Sequence, residues 1–365
     1  MAKDVPAGTL GGTMSGTVAR QSHRTAESRR ELERMAVDLL TPLRLRPLFK
    51  PAIWGGTRLR PWLGETPSNE PTGEAWVLSD HGDSHSEIIE GSAAGKTLRQ
   101  LMERMPERLL GQSFATTKRF PLLLKFIDAR LPLSVQVHPD DSRAKHHEPH
   151  GPGIGKTEAW VMLAAEPDAR LYAGLVPGAT TAQLREAIAV GHLEPLLHVM
   201  TPKPGDCLFL KAGTVHAIGA GTMLFEIQQS SDITYRLFDW NRVDPKTGKA
   251  RDLHVEKGLA CVDDTLGPCV PVFPLPHPAR ETLIDGEYFS LDRWNTDQLF
   301  RVGRVGECRM IVGLEGLAEM AWDDRTFAVR PGDVWLIPAE TGVCEVIPRG
   351  PVTLLECGCG QNPDN

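Results

Sequence analysis

The sequence predicts a mainly β fold: two β-barrel modules with a few helices, preceded by an N-terminal helical extension. Three observations carry that expectation. Glycine and proline are abundant, 35 and 29 of 365 residues. That is about one residue in six, against roughly 12% in ordinary usage, and it has no collagen-like period. From Leu43 onward, short apolar runs are broken every few residues by Gly, Pro or Asp, the texture of many short strands. An internal repeat then splits the strands into two sets, because Pro204 to Thr214 aligns with Pro331 to Thr341. Each copy is a Pro-Gly-Asp turn, four apolar residues and a small-residue turn. Gly supplies the turn conformation and Asp caps the backbone where the strand begins.

Taken in order, Met1 to Gln21 is rich in Gly, Thr and Ala, lacks the apolar core of a signal peptide, and reads as a disordered tail. Leu32, Met35, Ala36, Leu39 and Leu40 then recur at helical spacing within Thr25 to Leu40, and Ser28 and Glu31 are placed as a capping box. The expected domains are 1–42, tail plus amphipathic helix; 43–265, a first module with helical insertions; and 266–365, a second module. Helical patterns recur only at about 97–111 and 180–200, the latter marked by Leu184, Ile188, Leu193, Leu196 and Leu197. The remainder reads as strand.

Composition narrows the function. A formal net charge of −7 provides no basic field for nucleic acid, so an anionic ligand must be gripped by a few local Lys or Arg. No apolar run approaches the ~18 residues that a membrane span needs. The seven cysteines are odd in number and scattered through a chain too large to need disulfide staples, which points to reduced thiols and a cytoplasmic setting. Monomer and homodimer both stay open.

Strand alternation locates the chemistry. Across Leu133 to His138, a side-chain period of two puts Leu133, Val135 and Val137 on one face and Ser134, Gln136 and His138 on the other. The same rule groups Lys156, Glu158 and Trp160, and it groups Leu224, Glu226 and Gln228. Three strands each turn polar groups to one side, which reads as a polar interior. Such groups cannot stay buried unpaired, because each would cost several kcal/mol, so they satisfy one another or bind an ion. His138, Glu158 and His216, with Gln136 as a neutral oxygen donor, form a two-histidine, one-carboxylate set suited to Zn²⁺ and equally to Mn²⁺ or Fe²⁺. In the second module Val343 stands where the repeat places His216, so only the first module is armed.

These residues resemble the type I mannose-6-phosphate isomerases (phosphomannose isomerases), double-module cupins with one catalytic zinc. Seven segments carry the resemblance in order: Phe49 to Gly56, Gly73 to His81, Phe120 to Lys125, Leu133 to Pro139, Gly155 to Trp160, Ala212 to Ile218, and Glu226 to Arg236. It covers about residues 43–262 well and the second module loosely. The resemblance implies one Zn²⁺ per chain, held by Gln136, His138, Glu158 and His216, and a small sugar phosphate as substrate. It implies interconversion of mannose 6-phosphate and fructose 6-phosphate by proton transfer through a cis-enediol. Within that chemistry Arg236 stabilises the enediolate or grips phosphate, and Lys156 transfers the proton or contacts phosphate. Ser134 and Lys125 complete a phosphate site, and Glu226 orients a metal ligand. Gly155 stands where longer family members have His, and residues 1–40 lie outside the resemblance.

Other uses of such a set are a non-catalytic sugar-binding cupin and a metal-dependent cupin dioxygenase; the basic residues and the fourth ligand favour the isomerase. Asp80, His81, Asp83 and His85, and the 140–155 stretch with His146, His147 and His150, have metal-like composition but sit in turn-rich loops. The latter loop is a candidate to close over substrate. Cys357 and Cys359 lack a second pair and read as inert.

Overall fold

A computed structural model describes residues 1, 40–243, 248–275 and 279–360. The helix expected within Thr25 to Leu40 therefore lies outside the described residues, save its last position. Strands dominate and form two facing pairs of sheets. The first pair is a six-stranded sheet containing Cys207–Leu210, Glu158–Ala165, Thr222–Gln229 and Leu122–Ala129 as successive neighbours, and a five-stranded sheet ordered Leu197–Met200, Leu171–Leu175, His216–Ile218, Val135–Val137, Tyr235–Phe238. The second pair repeats that order. Val334–Ile337, Arg309–Glu315, Val352–Cys359 and Phe289–Thr296 run consecutively in a seven-stranded sheet, opposite Arg325–Val329, Ala318–Trp322, Val343–Pro348 and Phe300–Gly303.

The repeated Pro-Gly-Asp turns explain why both modules begin these strands alike. Gly205 and Gly332 have φ of +89° and +87°, a conformation that glycine reaches without steric cost. Asp206 accepts a hydrogen bond from the Lys203 amide at 2.8 Å, and Asp333 accepts one from the Arg330 amide at 3.0 Å. Each carboxylate thus satisfies a donor that the turn would leave unpaired.

Two strands cross the expected boundary near residue 265. Leu43–Leu45 pairs with Val334–Ile337 and Ile88–Glu90 pairs with Leu43–Leu45, so the early chain completes the second module's sheet and covers an otherwise open edge. Val272, in the connection between modules, exchanges backbone hydrogen bonds with Cys207 at 2.9 and 2.7 Å and closes the matching edge of the first.

The helical segments are shorter than their periodicity implies. The 97–111 pattern is two helices, Leu98–Arg104 and Pro106–Leu110. Met105 precedes a proline, whose ring drives it out of helical conformation, to φ −150° and ψ 51°. The 180–200 pattern supports an α-helix only over Thr181–Ala189, followed by a single 3₁₀ turn at Glu194–Leu196, and Leu197 already opens a strand. Asp141–His147, expected as loop, is a helix that Asp140 caps by accepting from the Arg143 amide at 2.7 Å. Val255–Cys261 is a further helix that weak periodicity concealed.

Alternation assigns each sheet face a destination. Phe126, Phe225, Ile227 and Val161 turn outward from the six-stranded sheet into a core shared with Met310, Val312, Leu336 and Leu355 of the seven-stranded one. Val135, Val137, Ala217 and Tyr235 turn outward from the five-stranded sheet against Leu184 and Leu259 of the helices. The inward faces differ between barrels. Phe300, Ile311, Met320, Phe327, Trp335 and Val346 fill the second barrel with apolar side chains. Trp335 is fully buried, its ring edge-on to Phe327 at 5.1 Å. Trp335→Ala is therefore expected to cost about 3–5 kcal/mol, the usual range for emptying a core aromatic site. Urea unfolding followed by circular dichroism checks this; a loss below about 1 kcal/mol would show that the second barrel is not packed around Trp335.

Candidate metal centre and active site

Inside the first barrel, three strands and one strand end bring four donors together. Gln136 and His216 are register partners on neighbouring strands, Glu158 opens its strand, and His138 follows the end of Val135–Val137. His138, Glu158 and His216 are all buried, and their ligand atoms lie within 4.8 Å of one another. His138 Nδ1 lies 2.9 Å from the Ile233 carbonyl and His216 Nδ1 lies 2.9 Å from the Thr214 carbonyl. A carbonyl only accepts, so each Nδ1 carries the proton and each Nε2 presents a lone pair. Glu158 Oε1 lies 3.4 Å from His216 Nε2, and Oε2 lies 3.5 Å from His138 Nε2. Acceptors face acceptors, an arrangement that is favourable only with a cation among them.

An ammonium supplies that cation here. Lys156 Nζ lies 2.9 Å from Glu158 Oε2 and 3.1 Å from His138 Nε2. It is close to Glu158 but poorly aligned, and both Glu158 oxygens remain buried without a hydrogen bond. Gln136 Nε2 lies 3.2 Å from His216 Nε2, and turning the amide over brings its oxygen toward the same point. Orphaned carboxylate oxygens, two imidazole lone pairs and an adaptable amide oxygen fit a divalent metal such as zinc.

Electrostatics keep the donors ready. Burial, reinforced by Lys156, pushes His138 down to about 3 and lowers His216, so both rings are neutral near pH 7. Burial alone would raise Glu158, but Lys156 and His138 outweigh it and hold the carboxyl well below the usual range. Glu226 goes the other way: burial first, and Glu158 second, push it up to about 7.

Beside the donors lies a polar cavity of about 310 Å³, lined by Lys125, Ser134, Gln136, Lys156, Glu226 and Arg236 together with Glu74, Asp232 and Arg251. It shares Asp232 and Thr234 with a wider cleft of about 940 Å³, whose wall includes Glu148 to Pro152 of the loop after the Asp141–His147 helix. Arg236 pairs directly with Gln136 across the sheet, which sets His216, Gln136 and Arg236 in a row on three adjacent strands.

All nine residues singled out in the sequence thus stand around one site. Lys125 Nζ lies 3.4, 3.6 and 3.7 Å from carboxylate oxygens of Glu74, Glu226 and Asp232, whose combined pull overcomes burial and raises its pKa. Its charge is shared among three neighbours, so Lys125 is the counter-ion of Glu74, Glu226 and Asp232. Glu226 accepts from Trp160 Nε1 at 2.9 Å instead of bonding a histidine ligand, which leaves it facing the cavity. Glu74, Asp232 and Arg251 went unnoticed as site residues. Glu74 and Asp232 lie within segments that carry the resemblance, whereas Arg251 sits in a loop where no alternation rule applies.

Gly155 has a structural reason of its own, because a Cβ there would meet backbone atoms of Asp140, Asp141 and Pro139 at 2.6–2.7 Å. Among the described residues, no other trio of His, Cys, Asp or Glu brings ligand atoms so close. In the second barrel the register places Arg309 at the Glu158 position and Gly303 with Val343 at the Gln136 and His216 positions. All seven cysteines are free thiols, and no described helix is long and apolar enough to cross a membrane.

Fold and site define a two-module cupin with a buried carboxylate and histidine centre in its first barrel. Residues 43–164 match the family model of the type I phosphomannose isomerase catalytic domain. Mannose-6-phosphate isomerase ManA of Bacillus subtilis (strain 168) is 37% identical over 311 residues, spanning 82% of this chain and 94% of that one. The mannose-6-phosphate isomerase of Streptococcus mutans serotype c is 35% identical over 301 residues, spanning 81% and 92%. A crystal structure of mannose 6-phosphate isomerase from Bacillus subtilis superposes with a TM-score of 0.77 at 32% identity, covering 87% of this chain and 99% of that one. The chain belongs to the type I phosphomannose isomerase family, a family of aldose–ketose isomerases.

Replacing His216 with Ala is expected to lower retained divalent metal by at least about 10–100-fold, since losing a ligand costs no less than losing a group that merely supports one. Elemental analysis after gel filtration reads this directly. Metal retained at wild-type level by a folded His216→Ala protein would remove His216 from the ligand set.

Proposed function

We propose that the chain interconverts mannose 6-phosphate and fructose 6-phosphate, moving a proton between C2 and C1 through a cis-enediol, with one zinc held by Gln136, His138, Glu158 and His216. The observation that carries this reading is the meeting of three mutually repelling lone-pair donors, with an amide beside them, next to a guanidinium in a cavity lined mostly by polar and charged groups. Zinc bound there would supply Lewis acidity to the C1 and C2 oxygens of the sugar.

The side chains supply the rest. Arg236 stands one strand from Gln136, its Nε is buried without a hydrogen-bond partner, and its charge persists at any working pH. An enediolate oxygen provides the missing acceptor, so the guanidinium meets negative charge as it develops. Lys156 reaches the donor cluster through Nζ and is our candidate to carry the proton. Ser134 lines the same cavity, and its Oγ, now 3.5 Å from Gln136 Oε1, is our candidate to donate to a substrate oxygen. Trp160 and Lys125 keep Glu226 and its neighbours in place, so these polar groups are set before substrate arrives.

Chelation is expected to abolish conversion of mannose 6-phosphate in a coupled assay, and added Zn²⁺ to restore it. A metal-replete protein that fails to convert this substrate would sink the proposal. Arg236→Ala is expected to lower kcat about 10²–10³-fold with full zinc content, the scale seen when one charge-stabilising donor is removed. Loss of zinc in that variant would instead assign Arg236 to the structure of the site.

A further inference from the structure

Positive charge in the cavity is unevenly committed. Lys125 is surrounded by three carboxylates, and Lys156 faces Glu158 at 2.9 Å, so both ammonium groups already have carboxylate partners. Arg236 lies against Gln136, close to the metal donors. A phosphate ester sits at the far end of the sugar from C1 and C2, so its partner is a cavity cation outside the metal-donor set.

Arg251 meets this requirement. It lines the cavity from a loop outside the barrel strands. Its Nε donates to Asp239 Oδ2 at 2.8 Å and its Nη2 to Oδ1, a two-point grip that fixes the plane of the guanidinium. Nη1 makes neither of those bonds. Asp239 is buried, follows the strand that carries Arg236, and also receives Arg242. Asp239 therefore holds two guanidiniums, those of Arg242 and Arg251, with Arg236 within electrostatic range of Asp239 and Arg251. A phosphate monoester carries about −1.5 to −2 at pH 7, and a planar guanidinium suits its oxygens.

We propose that Arg251 holds the phosphate group of the substrate, with Asp239 as the residue that positions it. The proposal rests on the reading of the substrate as a sugar phosphate. It explains why a buried aspartate is spent on a cavity arginine: a free Arg251 side chain would lose rotamer freedom on every binding event, whereas a clamped one has already lost it.

The test uses the zinc-loaded full chain and the variants Arg251→Met and Arg251→Lys. For Arg251→Met, KM for mannose 6-phosphate and the inhibition constant of inorganic phosphate are both expected to rise at least tenfold. The fall in kcat should be smaller than the rise in KM, with zinc content unchanged. Arg251→Lys, which keeps the charge, is expected to recover part of both losses. Both constants within twofold of wild type in Arg251→Met would overturn the proposal. So would lost zinc or a lowered thermal transition with phosphate inhibition intact, since that is the mark of a purely structural residue. If the wild type does not isomerise mannose 6-phosphate, the functional reading fails by itself. Calorimetric titration of wild type and Arg251→Met with inorganic phosphate then still decides whether Arg251 holds an anion.

Discussion

Everything in the first barrel answers to one buried carboxylate. Glu158 sits inside the sheet with both oxygens lacking hydrogen bonds and two imidazole lone pairs facing them. Taking such a charge out of water costs several kcal/mol unless a cation compensates it. The strand carrying Glu158 is bound on both sides, by Cys207–Leu210 and Thr222–Gln229. The carboxylate is therefore held toward the donors and cannot relax into solvent. Backbone carbonyls of Ile233 and Thr214 fix the ring tautomers for the same end. The charge is costly where it lies, and that cost is what makes the position a strong cation site.

The second barrel shows the same scaffold without the burden. Its sheets repeat the strand order of the first, and its turns repeat the same glycine and aspartate geometry. Yet the donor positions carry Arg309, Gly303 and Val343, and the interior is packed with Trp335, Phe327 and their neighbours. An apolar filling stabilises, whereas a polar one has to be justified by binding. The outward faces of the two large sheets share one core, which lets the filled barrel steady the polar one. Strands Leu43–Leu45 and Ile88–Glu90 tie the modules further by joining the second module's sheet.

Much of this site could be read from residue order because a strand alternates with a period of two. Val135 and Val137 pack outward among the helices while Gln136 stands inside, as alternation requires. Trp160 and Leu224 point inward beside Glu158 and Glu226 for the same reason. The helices were less legible. Apolar spacing over 97–111 runs through Met105 and Pro106, where proline's restriction of its predecessor overrides the pattern. The short helices Asp141–His147 and Val255–Cys261 offer too few turns for a period to emerge.

The sequence by itself determined the mainly β class, the paired turns, the face to which each polar residue of a strand belongs, and the four candidate metal donors. These follow from local geometry that a few residues dictate. Only the tertiary structure decided how charges are shared. Nothing in residue order sets Lys125 among Glu74, Glu226 and Asp232, and Arg251 had no visible role until Asp239 clamped it at the cavity wall. Lys125 meets Glu74 from 51 positions away and Glu226 from 101. Electrostatic partnership depends on distance in space, which sequence spacing does not encode.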